Sequence, residues 1–375
     1  MILPGSTLGL LGGGQLGRMF TARARSMGYE VVVLDPDPHS PAGRIATRHI
    51  EAPFQDLHAL GQLAGGCAAV TTEFENVPAD ALEFLAPRVL VRPGPAALAI
   101  AQDRLSEKAF FQDAGIATAD FAPVRDADEL ERAWEQVGGS ALLKTSRLGY
   151  DGKGQVAVES REEARRGFAA LGGVACVLER RLALAGEVSV VLARGEDGQV
   201  AAFPPGENHH VRGILDTTVV PARLAGPLQA QAVAMASNVA ARLEYVGVLG
   251  LELFVAEDGR LFANEMAPRP HNSGHYTLDA CDVCQFEQQV RALAGLPLNP
   301  PRLLSPVCMI NLLGDLWTRG EPRWAAALAL PGVSLHLYGK KEPRPGRKMG
   351  HLNCLAGSAD DAEALARQAL AALAG

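Results

Sequence analysis

Short apolar runs alternate with stretches of helical period along the N-terminal part of the chain, a pattern that predicts β-α-β units. Leu8-Gly9-Leu10-Leu11 reads as a strand running into Gly12-Gly13-Gly14-Gln15-Leu16-Gly17, and a helical pattern follows to Met27 with Gly28 as its stop. Glu30 to Asp35 is a second strand and Cys67 to Thr72 a further one. Val89 to Val91 closes the unit before Arg92-Pro93-Gly94-Pro95, which has the composition of a linker. Beyond it, Ala97 to Ala114 reads as one helix ended by Gly115, and Ala141 to Leu143 as a strand. Cys176 to Glu179 and Glu187 to Leu192 are strands carrying one glutamate each. Val248 to Val255 and Leu261 to Met266 flank Asp258-Gly259, a hairpin signal. Strict alternation puts Glu252 on one face with Gly250 and Phe254, a face expected to be inside. Tyr276 to Leu293 reads as a single helix.

Charge and glycine placed on these elements suggest chemistry. The stretch Lys144 to Gln155 gathers Gly149, Gly152, Gly154 and two lysines just after a strand. Glycine lets backbone N–H groups wrap a polyanion and lysine adds a point charge, so a hairpin tip folding over nucleotide phosphates is expected; a flexible surface hairpin is the plain alternative. The spacing does not match a Walker A loop. The glycines after the first strand have dinucleotide-fingerprint spacing, with Asp35 at the end of the second strand, so a Rossmann oxidoreductase is a rival reading. Against it, Asp35 precedes Pro36-Asp37-Pro38 and can cap that turn, and the helix N-terminus can hold other anions. Glu73 and Glu75 follow a strand where open α/β sheets bind ligands, or else form a solvated helix start before Pro78.

On facing strands of the Asp258-Gly259 hairpin, Glu252 and Glu265 fall in near-opposite register beside Asn264. Such a set makes a hard-oxygen site for Mg²⁺ shared with substrate phosphates, with a buried salt bridge as the alternative. The Pro268 to His275 loop that follows is polar enough to be functional. His271, His275, Cys281 and Cys284 have ligand-like types for zinc, but the expected helix through them and the lack of a second cysteine pair speak against it. The runs Asp103 to Lys108 and Lys340 to Lys348 read by default as solvated charge, and Glu187 as an edge residue that keeps a sheet from pairing.

The chain has 375 residues, 48% of them hydrophobic, which predicts more than one domain of an α/β enzyme. A formal charge of −7 disfavours wholesale nucleic-acid binding. No run reaches transmembrane length, no basic flank of a leader is present, and the 6 scattered cysteines read as reduced thiols, so a cytoplasmic protein away from membranes is expected.

Seven segments in order resemble the ATP-grasp superfamily and, within it, the N5-carboxyaminoimidazole ribonucleotide synthetases. They are GGGQLGRM at 12–19, TEFENVP at 72–78, QDRLSEK at 102–108, GYDGKGQ at 149–155, ENHHVRGIL at 207–215, NEMAPRPHNSGH at 264–275 and YGKKEPRPGRKMGH at 338–351. The resemblance implies an α/β fold with a Rossmann-like N-terminal domain (1–96), a two-lobed ATP-grasp core (97–298) and a small β-rich C-terminal domain (299–375). It implies ATP and Mg²⁺ as cofactors, aminoimidazole ribonucleotide and bicarbonate as substrates, and a homodimer. Bicarbonate would be phosphorylated to carboxyphosphate, whose carboxyl group the exocyclic amine captures.

For the nucleotide, the resemblance points to Arg104 and Lys144 on the phosphates and to a lid of Gly149, Tyr150, Asp151, Gly152, Lys153, Gly154 and Gln155. It adds a hinge of Glu179, Arg180, Arg181 and Leu182 whose backbone reads adenine, Glu187 on ribose, and His210 and Asn264 nearby. Glu252 and Glu265 would hold the metal. For the ribonucleotide it points to Gln15, Leu16, Glu73, Glu75, Tyr150, Arg269, His271, Lys340, Arg347 and Lys348, with Arg269, Lys153 and Asp151 as the catalytic set. The hinge departs from relatives, which carry smaller or aromatic residues after the first glutamate.

Overall fold

The computed structural model describes residues 1–149 and 152–374. The N-terminal sheet is wholly parallel, in the order β3-β2-β1-β4-β5, built from β1 (Thr7–Leu11), β2 (Glu30–Leu34), β3 (Arg48–Ile50), β4 (Ala69–Thr72) and β5 (Leu90–Val91). Leu8, Leu10, Val31 and Val33 pack on one face and Leu11, Val32, Leu34 and Val70 on the other, as a sheet covered on both sides requires. The helix Gln15–Ser26 leaves β1 at the glycine run and stops before Gly28, whose φ of 86° is open to glycine.

Two antiparallel sheets follow. One, in the order β6-β9-β7-β8, contains β6 (Phe121–Val124), β7 (Ala141–Thr145), β8 (Gln155–Val158) and β9 (Cys176–Arg180). The larger runs β15-β14-β10-β12-β13-β16-β18-β17. Its strands are β10 (Leu184–Arg194), β12 (Gly206–Val211), β13 (Ile214–Val220), β14 (Gly247–Ala256), β15 (Leu261–Ala267), β16 (Val307–Leu313), β17 (Val333–Leu337) and β18 (Lys348–Leu355), with β11 (Val200–Ala202) beside β10. The sheet is unbroken from the central to the C-terminal strands because β13 pairs β16. Among the described residues no helix is long and apolar enough to cross a membrane.

Several sequence expectations change. Leu249, Leu251, Leu253 and Val255 of β14 form the core with Ala232, Ala236 and Val239 of the helix Gly226–Arg242. Glu252 and Phe254 therefore face the cleft, the reverse of the expected inward face. The expected helix Ala97 to Ala114 is two, Pro95–Ala101 and Arg104–Asp113, because Asp103 is extended and its carboxylate caps Leu105 and Ser106 N–H. Likewise Tyr276 to Leu293 is not continuous: Thr277–Ala280 ends at Cys281, which bridges Leu303, and Cys284 caps Gln285–Ala294. Glu187 lies on β10, paired on both sides by β12 and β14, so it shields no edge.

Candidate active site

The three sheets enclose a cleft of ≈ 660 Å³. Its floor is the β14–β15 hairpin. Glu252 and Glu265 are direct partners in register, and a β-bulge follows between Glu252 and Leu253, where Asn264 is the extra residue. Adjacent strand residues normally point to opposite faces; the bulge lets Asn264 and Glu265 both line the cleft. Asn264 Oδ1 is buried without a hydrogen-bond partner, an oxygen left over beside two carboxylates. Burial and then the charge of Glu265 push the Glu252 carboxyl up to about 7. Its Oε1 lies 3.3 Å from His271 Nε2. Gly250 allows this approach, since a Cβ there would meet the His271 Cβ at 2.8 Å. Burial, then Arg269 and Lys348, hold His271 down at about 3, so the imidazole is neutral.

The roof is the β7–β8 hairpin, joined across its neck by Thr145 N–H to Gly154 O at 2.8 Å. Gly152 and Gly154 have φ of 75° and 72°, and a Cβ on Gly154 would sit 2.6 Å from Thr145 Oγ1. Gly149, Gly152, Lys153 and Gln155 line the cleft. Tyr150 and Asp151 lie outside the described residues.

Cations enter from the sides. Arg104, the first residue of its helix, reaches Glu265 Oε2 at 3.1 Å, and its N–H bonds Ser146 O at 2.8 Å. Lys144 lines the cleft and donates to Glu179 Oε2 at 3.1 Å, while Lys108 approaches Glu179 Oε1 at 3.3 Å. The run Asp103 to Lys108 is thus no solvated face: Glu107 and Lys108 are 2% and 1% exposed. Arg269 forks onto both oxygens of Glu75, and although burial opposes the charge, that guanidinium draws Glu75 down to about 2. Lys340 donates to Gln15 Oε1 and to Lys348 O, both at 2.7 Å, and with Lys348 and His210 it lines the cleft. His210 Nδ1 lies 2.9 Å from Glu187.

The glycine run settles the rival reading. Gly17 N–H donates to Glu73 Oε2 at 2.8 Å and Gly14 N–H to Glu73 Oε1. A pyrophosphate would need the space that this carboxylate occupies, so the fingerprint is not a dinucleotide site. Asp35 accepts from Gly13 N at 2.7 Å and from Asp37 N at 2.8 Å, bracing the loop as a turn cap. Among the described residues no three His, Cys, Asp or Glu gather as metal ligands, and Cys284 is spent as a helix cap, so the zinc set is not assembled.

Not every residue expected at the site lines the cleft. Arg347 Nη1 donates to Glu342 O at 2.9 Å, away from the lining. None of the hinge residues Glu179, Arg180, Arg181 and Leu182 lines the cleft, whereas Leu184 and the ribose candidate Glu187, just beyond them, do. The Arg180 and Arg181 side chains turn to Asp120 and Glu159. Sequence reasoning missed Glu107 and Lys108, which stand three and four positions after Arg104 on one helical face; that spacing was the available signal. It also missed Gln102, whose amide donates to Glu75 O and Val77 O and so fixes the loop that carries Glu75.

Two antiparallel sheets clasping a cleft, with an acidic pair below and a glycine-bearing hairpin above, define an ATP-grasp protein. Residues 109–286 match the ATP-grasp domain family, residues 5–102 the ribonucleotide synthetase preATP-grasp domain, and residues 307–365 the phosphoribosylaminoimidazole carboxylase C-terminal domain. The chain is 47% identical to the N5-carboxyaminoimidazole ribonucleotide synthase of Brucella melitensis biotype 1, covering 93% of this chain and 96% of that one. It is 42% identical to the enzyme of that name from Bacillus subtilis strain 168, over 94% and 92%. The crystal structure of N5-carboxyaminoimidazole synthase from Aspergillus clavatus with ADP and 5-aminoimidazole ribonucleotide superposes with a TM-score of 0.91, at 31% identity and 98% coverage of both chains. The chain belongs to the N5-carboxyaminoimidazole ribonucleotide synthase family.

Proposed function

We propose that this enzyme uses ATP to activate bicarbonate and places the carboxyl group on the exocyclic amine of 5-aminoimidazole ribonucleotide, releasing ADP and phosphate. The observation that carries the reading is the nearly full-length likeness to a synthase holding ADP and that ribonucleotide together, combined with one cleft open both to the hairpin roof and to the glycine run. The nucleotide phosphates lie under the roof against Arg104, Lys144 and Lys153, and the ribonucleotide lies toward Gln15, Lys340 and Lys348. Bicarbonate takes the γ-phosphoryl group between them, near Arg269 and His271. Phosphoryl transfer needs positioning and charge neutralisation more than a covalent residue, and these cations supply it. The hairpin excludes water from the labile mixed anhydride. The N–C bond then forms as the C–O bond to phosphate breaks and the amine gives up a proton.

The paired carboxylates and the unpartnered Asn264 oxygen suit a hard divalent cation, so Glu252 and Glu265 would hold Mg²⁺ with Asn264 adjacent. Bound there, Mg²⁺ supplies further charge neutralisation for the phosphates. The Glu252 proton competes with it. Because the folded-state value of about 7 lies above the ordinary 4.5, protonation favours the fold. That contribution is complete below about pH 4.5 and fades as pH rises through 7. Mg²⁺ affinity should therefore rise about tenfold between pH 6 and pH 8. A metal titration followed by melting temperature reads this directly, and a flat profile contradicts it.

The reading includes a homodimer, to which exposed Leu57 and Leu337 offer apolar surface, and a cytoplasmic location, which the free cysteines suit. It also includes the domain division at 96/97 and 298/299. The deciding experiment is an omission assay of phosphate release. Turnover requires ATP, Mg²⁺, bicarbonate and the ribonucleotide together; an unchanged rate without the ribonucleotide refutes the assignment.

A further inference from the structure

Lys108 does not itself line the cleft, yet it is among the most deeply buried charges of the molecule at 1% exposure. It stands on the helix Arg104–Asp113, one turn after Arg104, and reaches across to the four-stranded sheet. Its Nζ donates to Thr118 Oγ1 at 2.9 Å and lies 3.5 Å from Ala263 O, next to the bulge of the acidic floor. The ammonium also lies 3.3 Å from Glu179 Oε1, while Lys144 takes the other oxygen of the same carboxylate at 3.1 Å. Glu179 itself is 2% exposed. Two lysines thus share one buried carboxylate, and only Lys144 opens to the cleft.

Two ammonium groups and one carboxylate leave a single positive charge, and the lysine facing the cleft is where it can act on an anion. Without Lys108, Glu179 and Lys144 would form a closed neutral pair in a poorly solvated setting, where such a pair binds tightly. The phosphate-side cation would then be cancelled by a residue of the protein's own. We propose that Lys108 is a positioning residue for nucleotide binding: by neutralising Glu179 it leaves the charge of Lys144 available to the phosphates of ATP. The proposal rests on the ATP-dependent reading above and extends it to a residue that contacts no substrate.

The test is steady-state kinetics on the intact enzyme. Lys108→Met should raise the KM for ATP about tenfold and change the KM for the ribonucleotide by less than twofold. The double variant Lys108→Met/Glu179→Gln removes the competing carboxylate together with its neutraliser, so its KM for ATP should return to within threefold of the parent value. A purely structural Lys108 gives the opposite order, because the double variant then loses two buried partners rather than one. A single variant that binds ATP normally overturns the proposal, and so does a double variant no better than the single. If the single variant does not fold, the double variant still tests the proposal, because a KM for ATP more than threefold above the parent value overturns it. The parent enzyme separates the two levels: if it shows no ribonucleotide-dependent turnover the functional reading fails, whereas an active parent with insensitive variants removes only the role of Lys108.

Discussion

Glu265→Gln is expected to lower kcat/KM by about a thousandfold, the scale of losing a main electrostatic contact at a phosphoryl-transfer site. The substitution keeps shape and hydrogen-bonding capacity and removes one charge from the acidic floor, where Glu265 faces Glu252 in register. Stability should hardly move. The ion pair with Arg104 is partly solvated, with the Glu265 side chain 41% exposed, and such pairs contribute little. In addition, Glu265 is one of the charges that push Glu252 to about 7 and Glu107 to about 8, after burial itself, so its loss relieves repulsion inside the protein. A melting temperature within a few degrees of the parent, together with collapsed turnover, is the expected pair of readings. Retained turnover removes the metal role of this residue.

The second large effect is at Arg269, and it divides between activity and stability. Arg269→Met should cost about two to three orders of magnitude in kcat/KM if the guanidinium faces the bicarbonate-derived group. It also leaves Glu75 without the partner that holds it at about 2 against an ordinary 4.5. A depressed carboxyl stabilises the fold above its unfolded value and loses that contribution as pH falls toward 2. At neutral pH the loss in the variant is therefore about 3 kcal/mol, and the acid-unfolding profile should flatten between pH 4.5 and 2. Arg269→Met/Glu75→Gln separates the two effects: neutralising the stranded carboxylate restores stability but not turnover. Denaturant melts at neutral and acid pH check the first half and kinetics the second. Recovery of both in the double variant would mean that Arg269 acts only through Glu75.

Local pattern made much of this site legible. The first β-α-β unit, the β14–β15 hairpin with its acidic partners, and the glycine-bearing hairpin each depend on a few consecutive residues whose turn chemistry and period are short-range. Where reading failed, a long-range term was in command. Glu252 was assigned to the interior because alternation identifies two faces but does not say which one meets the hydrophobic core; the helix Gly226–Arg242 takes the Leu251 face. Gln102-Asp103 carries a helical pattern, yet the helix breaks there, since Asp103 finds Ser146 and Arg147 as well as its cap. The resemblance places Arg347 with Lys340 and Lys348 at the ribonucleotide, whereas its guanidinium donates to Glu342 O and does not line the cleft.

The amino-acid order by itself determined the first β-α-β unit, the Asp258-Gly259 hairpin, the glycines that supply backbone freedom at the roof hairpin, and the seven motifs that mark the family. These are properties of neighbouring residues and survive without a fold. Tertiary structure alone decided that Glu73, not a ligand, caps the glycine-run helix, that Asn264 turns into the cleft through a bulge, and that Lys108 and Lys144 share Glu179. Each of these depends on the burial and charge of partners far apart in sequence, and no local pattern encodes that energy.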